Sequence, residues 1–459
     1  MNKNLEYPNL RSYLDQVCSH VKATEIHEEI RQELQSHLQE LITEKIDQEG
    51  KTEEEAIIES IKLMGNPDEV GRQLHAVHKP KVEWSIISLL SAMIVIGGVA
   101  LFALNYSLND KLVVEQKLLF LLIGIAVMIA IYFVDYRKLL KYTWLLYGVT
   151  LLVMGTPLLS GTRLNGVAQW FKADDLGYNV YALSPYLLVI SVSGILQGQK
   201  LEPSNIHGRL KRMIKNVAVL IIIPAILYVK ADALSDFVIY GFSLAVLLMV
   251  IGKRLLLTAG FGAAAFLLWM LITLQPSQFH FRWMRITGFL NPNADALGSG
   301  FLTLRSMEAI QLGSMWGQGF GVVNRRLPYS YNELIYSYLV YSFGWVFGIA
   351  IAVLVLLFIV RIAHIGCSLQ DSYAKKLMIG LTAVLGIQFG WNLLMCAGFM
   401  PITGIRLPIL DWSPGTIAEL AAVGLILGAY RRKDMIGSST SLKNSSAIFR
   451  SPQSPWHDE

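Results

Sequence analysis

Charge is what this chain has least of. Only 16% of its 459 residues are Asp, Glu, Lys or Arg, while 53% are hydrophobic. Soluble globular domains carry about 25% charged residues, so a soluble fold of this length is excluded. The formal net charge of +5 is small for the length and gives no footing for nucleic-acid binding. Cysteine is scarce as well. Cys18, Cys367 and Cys396 are far apart, which excludes a disulfide framework and any metal site built on thiolate spacing. The start of the chain also lacks a basic stretch followed by a short apolar core. The first 80 residues are polar and helical instead, so no cleavable signal peptide is expected and the first apolar span acts as its own insertion signal.

Long apolar runs take the place of the missing charge. Ten of them, near 84–106, 113–135, 142–160, 184–198, 216–230, 235–252, 255–274, 333–361, 377–399 and 414–430, are candidate membrane-spanning helices. The basic residues fix an orientation. Arg137, Lys138 and Lys141 follow the second span. Lys200, Arg209, Lys211, Arg212 and Lys215 follow the fourth, and Lys253 and Arg254 the sixth. Arg361, Lys375 and Lys376 follow the eighth, and Arg431, Arg432 and Lys433 the tenth. Short loops rich in Lys and Arg face the cytoplasm, so all of these, and both termini, are expected inside. The expected fold class is therefore an all-α polytopic membrane protein of about ten transmembrane helices. Its parts are a cytosolic helical prefix domain over 1–80, a membrane domain over 81–433 and a disordered tail over 434–459. Two long connections remain for the outer side, about 161–183 and 275–332. The second is too long for a mere connector, and a helical piece is expected within it around 301–313.

The prefix has its own signals. Ile26, Ile30, Leu34, Leu38, Ile42 and Ile46 recur every four residues, one apolar face of a helix. Thr52 with Glu55 reads as a capping box, Gly65 as a helix stop and Pro67 as a first-turn residue. Its role is open between a regulatory or partner-docking module and an appendage that aids insertion.

The long loop and the segments beyond it carry a resemblance. "RITGFLNPNADALGSGFLTLRSMEAIQLGSMWGQGFG", followed by "LPYSYNELIYSYLVYSFGWVFG", resembles the shape, elongation, division and sporulation family of RodA, FtsW and SpoVE. Arg285-Ile286, Asn291-Pro292, Ser306, Ala309-Ile310, Gly313, Gly317, Gly319, Leu327-Pro328, Glu333, Ile335, Gly344 and Gly348 fall in register with its pattern. So do Asn392, Gly398, Pro401, Thr403, Gly404, Ile405, Leu407 and Pro408 of "NLLMCAGFMPITGIRLPILDW". "LNGVAQWF" resembles the family's first outer loop. The resemblance covers about 84–433. It implies a peptidoglycan glycosyltransferase that polymerises lipid II, an undecaprenyl-pyrophosphate-linked precursor, outside the plasma membrane beside a class B penicillin-binding protein. The process served is cell shape, division or sporulation. The prefix looks like helical domains attached to Gram-positive membrane proteins.

That chemistry needs a base, positive charge for the departing diphosphate and an apolar groove. The resemblance places the base at Glu333, where the family carries Asp. Read without it, Glu333 is first of all a solvated carboxylate favoured by a helix N-terminus. Substrate-binding candidates are Arg282, Arg285, Arg305 and Arg406, whose guanidinium groups suit phosphate, with Trp170, Ser306 and Thr403. Each arginine alone fits a lipid headgroup or an acidic partner as well. No cofactor is fixed by the sequence, which leaves a divalent cation open. A divalent cation such as Mg or Mn would have Glu333, Asp295 or Asp411 as oxygen ligands. Pro328, Pro401, Gly404 and Pro408 are structural motif positions. The pair Pro401 and Pro408 implies broken backbone, either a cavity wall or an ordinary helix end. Glu419, inside the tenth span, is a functional candidate or the partner of a neighbour.

Several polar family positions have changed. Gln169 precedes Trp170 where the family has Arg, and "SPYL" from Ser184 keeps only Pro185. Tyr341 and Ser342 replace carboxylates, and Ser413-Pro414-Gly415-Thr416 replaces Gly-Gly-Ser-Ser. Three readings stay open: a divergent polymerase, a catalytically inactive scaffold for a cell-wall synthase, and a transporter of a lipid-linked precursor.

Overall fold

The structure, a computed structural model, describes residues 8–22, 27–77, 82–108, 111–160, 169–173, 176–199, 205–274, 283–284 and 286–433. The chain divides into two compact units, Met1–Val82 with Tyr430–Glu459, and Glu83–Ala429. The expected tail, 434–459, lies outside the described residues.

The first unit holds α1 (Pro8–Ser19), α2 (His27–Glu49), α3 (Glu53–Met64) and α4 (Pro67–Val77). Leu10, Leu14 and Val17 of α1 meet Ile30, Leu34 and Leu38 of α2, with Met64 and Val70 closing the core. The apolar stripe expected along α2 is thus buried over its first half only. Ile46 is exposed, because the far end of α2 meets α3 through ions rather than apolar contact. Lys45 reaches Glu49 and Glu59, and Lys51 reaches the same two carboxylates. Thr52 caps α3, with Glu55 Oε2 accepting from the Thr52 N–H at 3.3 Å and hydroxyl at 2.8 Å. Gly65, at φ +89°, stops α3.

Among the described residues the second unit is helical apart from one hairpin, and a helix stands at each of the ten expected positions. These are α5 (Trp84–Leu108), α6 (Lys111–Phe133) and, after the short α7 (Arg137–Lys141), α8 (Thr143–Ser160). Next come α9 (Val180–Gln197), α10 (Ile206–Val217) running on into α11 (Ile223–Lys230), α12 (Leu234–Ile251) and α13 (Arg254–Leu274). After α14 (Phe301–Leu312) follow α15 (Ile335–Ser368), α16 (Ser372–Cys396) and α17 (Pro414–Arg431). Among the described residues seven helices are long and apolar enough to cross a membrane, and Thr143–Leu159 is a shorter apolar helix. The chain is a multi-pass membrane protein.

Two helices form the centre. In α9 and α16, 72% and 61% of the spanning window is buried, against 22–39% in the other five. That leaves α9 and α16 as the pillars and turns the outward faces of the rest to lipid. Three departures from regular helix shape the unit. The loop expected over 161–183 contains a two-stranded antiparallel hairpin, β1 (Trp170–Ala173) and β2 (Leu176–Asn179), so the fold is all-α except for that ribbon. The joint between α10 and α11 is a π-turn, Ala218–Ile222. Two phenols fix it: Tyr147 donates to the Val219 carbonyl at 2.5 Å and Tyr240 to the Leu220 carbonyl at 2.6 Å.

The third departure is in α15, which is broken at Gly344, φ +88° and ψ 175°. The freed backbone groups are satisfied by a distant strip, 314–319. Trp345 N–H donates to the Ser314 carbonyl at 2.9 Å, and the Tyr341 and Ser342 carbonyls accept from Gln318 and Gly319, each at 3.0 Å. Unpaired backbone is too costly inside a bilayer, so such a break survives only where protein completes it. Glycine is required here, since a Cβ on Gly344 would collide with the Met315 carbonyl. The break creates a half-helix, Ile335 to Phe343, whose N-terminal end sits beside Glu333.

Candidate functional site

Glu333 is half-buried on the turn that leads into α15. The turn is tight: Tyr329 has φ +53°, and its carbonyl accepts from Asn332 at 2.9 Å and Leu334 at 3.2 Å. The main chain of Glu333 is held by α16. Asn392 Nδ2 donates to the Glu333 carbonyl at 2.9 Å, and the Cys396 thiol approaches the same oxygen at 3.7 Å. Asn392 is fully buried, and its amide also donates to the Ile405 carbonyl at 2.8 Å. One side chain therefore ties the Glu333 turn to the segment between Pro401 and Pro408.

That segment has no regular secondary structure from 401 to 407. Gly404 adopts φ +81°, and Glu333 Oε2 lies 3.3 Å from the point a Cβ on Gly404 would occupy. A side chain there would press on the carboxylate. The Ser235 hydroxyl donates to the Thr403 carbonyl at 2.7 Å, and Trp391 Nε1 to the Pro401 carbonyl at 3.3 Å. Thr403 Oγ1 is buried without a hydrogen-bond partner. It stands one residue before Gly404 in the chain.

The other expected residues divide. Ser306 is fully buried, bonded to Ser337 Oγ and to the Cys396 carbonyl, both at 2.7 Å. Its hydroxyl joins α14 to α15 and α16. Arg305 pairs with Glu308 at 2.5 Å and covers the Phe301 ring, and Arg326 approaches the same carboxylate at 3.3 Å. The Arg305 bond pulls the Glu308 carboxyl below its usual range. Arg406 is one-third exposed and lies 3.6 Å from Asp411, which is buried. Trp170 opens β1 opposite Asn179. Pro328 follows the buried Leu327 into the turn that ends at Glu333. Arg282 and Arg285 lie outside the described residues.

The three oxygen ligands considered for a divalent cation are not gathered. Asp295 Oδ2 accepts from Ser299 N–H at 2.7 Å and Oγ at 3.0 Å, which holds its carboxyl low, and Asp411 faces Arg406. Among the described residues no three His, Cys, Asp or Glu side chains could hold a metal ion together. The donor set does not fit a cation, and no step is drawn through one.

Glu419 does have a partner: its Oε2 accepts from the Ile409 N–H at 2.6 Å. Two buried ionisable residues inside spans escaped the sequence reading. Lys117 of α6 is 7% exposed and donates to the Asp411 carbonyl, and Asp236 of α12 is 9% exposed. The rule that singles out Glu419, an ionisable group within an apolar run, applies equally to both.

A broken helix, a proline-bounded loop tied to the turn before it and one carboxylate between them define the class: multi-pass membrane proteins with an acidic site framed by irregular backbone. A family model described as cell cycle protein, that of FtsW, RodA and SpoVE, matches residues 81–434, and the chain belongs to this family. It is 24% identical over 356 residues to stage V sporulation protein E of Bacillus subtilis (strain 168), covering 76% of this chain and 95% of that one. It is 28% identical over 294 residues to a "Probable peptidoglycan glycosyltransferase FtsW" of Coxiella burnetii, covering 61% and 76%. The fold matches a solved peptidoglycan synthase complex described for coordinating polymerization and crosslinking, at TM-score 0.62 and 22% identity, over 77% of this chain and 98% of that one. It also matches the rod shape determining protein RodA of Thermus thermophilus, at TM-score 0.56 and 20% identity, over 77% and 97%.

Proposed function

We propose that this protein polymerises lipid II into glycan strands at the outer face of the plasma membrane, with Glu333 as the general base. The observation that carries the reading is the Glu333 carboxylate at Gly404, its main chain fixed by Asn392, beside the N-terminal end of a half-helix. In the step assigned to it, a sugar hydroxyl of one precursor attacks the anomeric carbon of another. The new glycosidic C–O bond forms as the bond to the diphosphate breaks. Glu333 takes the hydroxyl proton, and the undecaprenyl diphosphate leaves with the electron pair. A base held within hydrogen-bond reach contributes about 10²–10⁴-fold.

Relatives that bear the glycosyltransferase name, and a structural neighbour that is a synthase complex, support this reading. We assign the second member of such a complex to a class B penicillin-binding protein, the cytoplasmic side to both termini, and the cytosol to the prefix domain. The purified full chain, given labelled lipid II, should make glycan product, and Glu333→Gln, which keeps the shape and removes the base, should lose it.

The competing reading, a scaffold without chemistry, draws on the ion pairs. Arg305 and Arg406, two of the groups offered for the diphosphate, face Glu308 and Asp411 instead. No product from the wild-type chain, with a co-purifying synthase retained, would select the scaffold.

A further inference from the structure

We infer that Lys117 and Glu419 are positioning residues for the Glu333 site, acting through the strained turn Pro408–Ser413. This rests on the polymerase reading for its kinetic consequence and on the turn's own geometry for the rest.

The turn is unusual. Ile409, φ +66°, and Trp412, φ +47°, are both left-handed, and both are buried. A β-branched or bulky residue avoids that region, and such outliers persist only where the surroundings over-determine them. Here the surroundings are charged. Glu419 from α17 accepts the Ile409 N–H at 2.6 Å, which fixes one left-handed residue from below. Lys117 from α6 donates to the carbonyl of Asp411, the residue before Trp412, which fixes the other. The Asp411 carboxylate closes the turn on itself, its Oδ1 accepting from Ser413 N–H at 3.2 Å and Thr416 Oγ1 at 3.4 Å. Arg406, earlier on the same loop, lies 3.6 Å from its other oxygen. Asp411, Glu419 and Lys117 are 1%, 6% and 7% exposed.

Two basic and two acidic side chains placed together, three of them buried, are costly unless mutually satisfied, and weak as a source of stability alone. What they do specify is one conformation of a loop with no ladder of its own. Gly404 stands five residues before Ile409 on that loop, against the Glu333 carboxylate. Lys117, Asp411 and Trp412 also meet Tyr331 and Ile335, which flank Glu333, around one shallow crevice. Release of the turn would therefore displace both the Gly404 wall and the packing around the base. A shift of about 1 Å at a reacting group costs on the order of a hundredfold in rate.

The test uses the full chain in lipid nanodiscs with Lys117→Met, Glu419→Leu and the conservative Glu419→Gln, which keeps an oxygen for the Ile409 amide. Hydrogen exchange over 403–413 should quicken at least about tenfold in the first two and stay near wild type in the third. In lipid II polymerisation, kcat should fall about tenfold to a hundredfold in the first two while KM holds, with Glu419→Gln restoring most of it. Unchanged exchange in Lys117→Met and Glu419→Leu overturns the inference. So does faster exchange with unchanged kcat, or a loss confined to KM. A wild-type chain that makes no glycan removes the polymerase reading instead. Exchange then decides alone, faster amides upholding the hold on the turn and unchanged amides rejecting it.

Discussion

Asn392 shows how much of the site depends on one side chain. Its two amide hydrogens reach the carbonyls of Glu333 and Ile405, which belong to different loops. Asn392→Leu would take this donor from both carbonyls, each at a cost of about 1–3 kcal/mol. Thermal unfolding of the purified chain should show a clear drop in Tm and glycan synthesis should fail, whereas an unchanged Tm would mean that the two loops are joined by other contacts. At this scale the motifs made Glu333, Asn392 and Gly404 legible, because their spacing survives in the chain. Ser306 and Arg305 were assigned to substrate for the same reason. A motif shows that a hydroxyl or guanidinium is present but not which neighbour it faces, and these two face the Cys396 carbonyl and Glu308. Lys117 went unnoticed because two charges at the start of its run, Glu115 and Lys117, hardly alter the hydropathy of the whole.

Helices were easier to anticipate than the interruptions within them. Ten apolar runs became ten helices, since length and apolarity are local properties of the chain. The break at Gly344 was hidden because the apolar run continues through it, and its backbone is completed by residues 314–319 of a remote loop. Gly344→Ala meets both a positive φ and the Met315 carbonyl. Strain of this type costs about 1–3 kcal/mol or more, so a lower Tm and weaker synthesis are expected, and a neutral result would refute the broken-helix geometry. In the first unit the sensitive element is α1, where Tyr13 is buried and donates to the Gly65 carbonyl at 3.3 Å. Burial pushes its phenol up to about 12. The folded value is raised, so this contribution is whole below the unfolded value of about 10. It is lost as pH rises through about 12. Unfolding measured against pH should decline less steeply over that alkaline window in Tyr13→Phe than in wild type, and identical slopes would show that the phenol is already ionising freely in the native unit.

Across the whole molecule, the decisive question is which side of the membrane Glu333 faces, and the cysteines answer it. Cys18 and Cys396 are buried, while Cys367 is exposed. Cys367 lies near the end of α15, and Glu333 lies two residues before its start. A helix of 34 residues at 1.5 Å rise per residue, even when broken once, outspans a hydrocarbon core of about 30 Å. The thiol and the carboxylate must then lie on opposite sides. On the proposed orientation the basic residues around Arg361 and Lys375 are cytoplasmic, Cys367 lies with them, and Glu333 is outside, where a polymerase of exported precursors needs it. A membrane-impermeant maleimide should therefore leave intact cells unlabelled and modify inverted vesicles, and Cys367→Ser should abolish that signal. A cysteine at exposed Arg326, on the loop before Glu333, should label in the opposite pattern. If Cys367 reacts in intact cells, Glu333 is cytoplasmic, the proposed chemistry has no substrate on its side of the membrane, and a role on the inner leaflet takes its place.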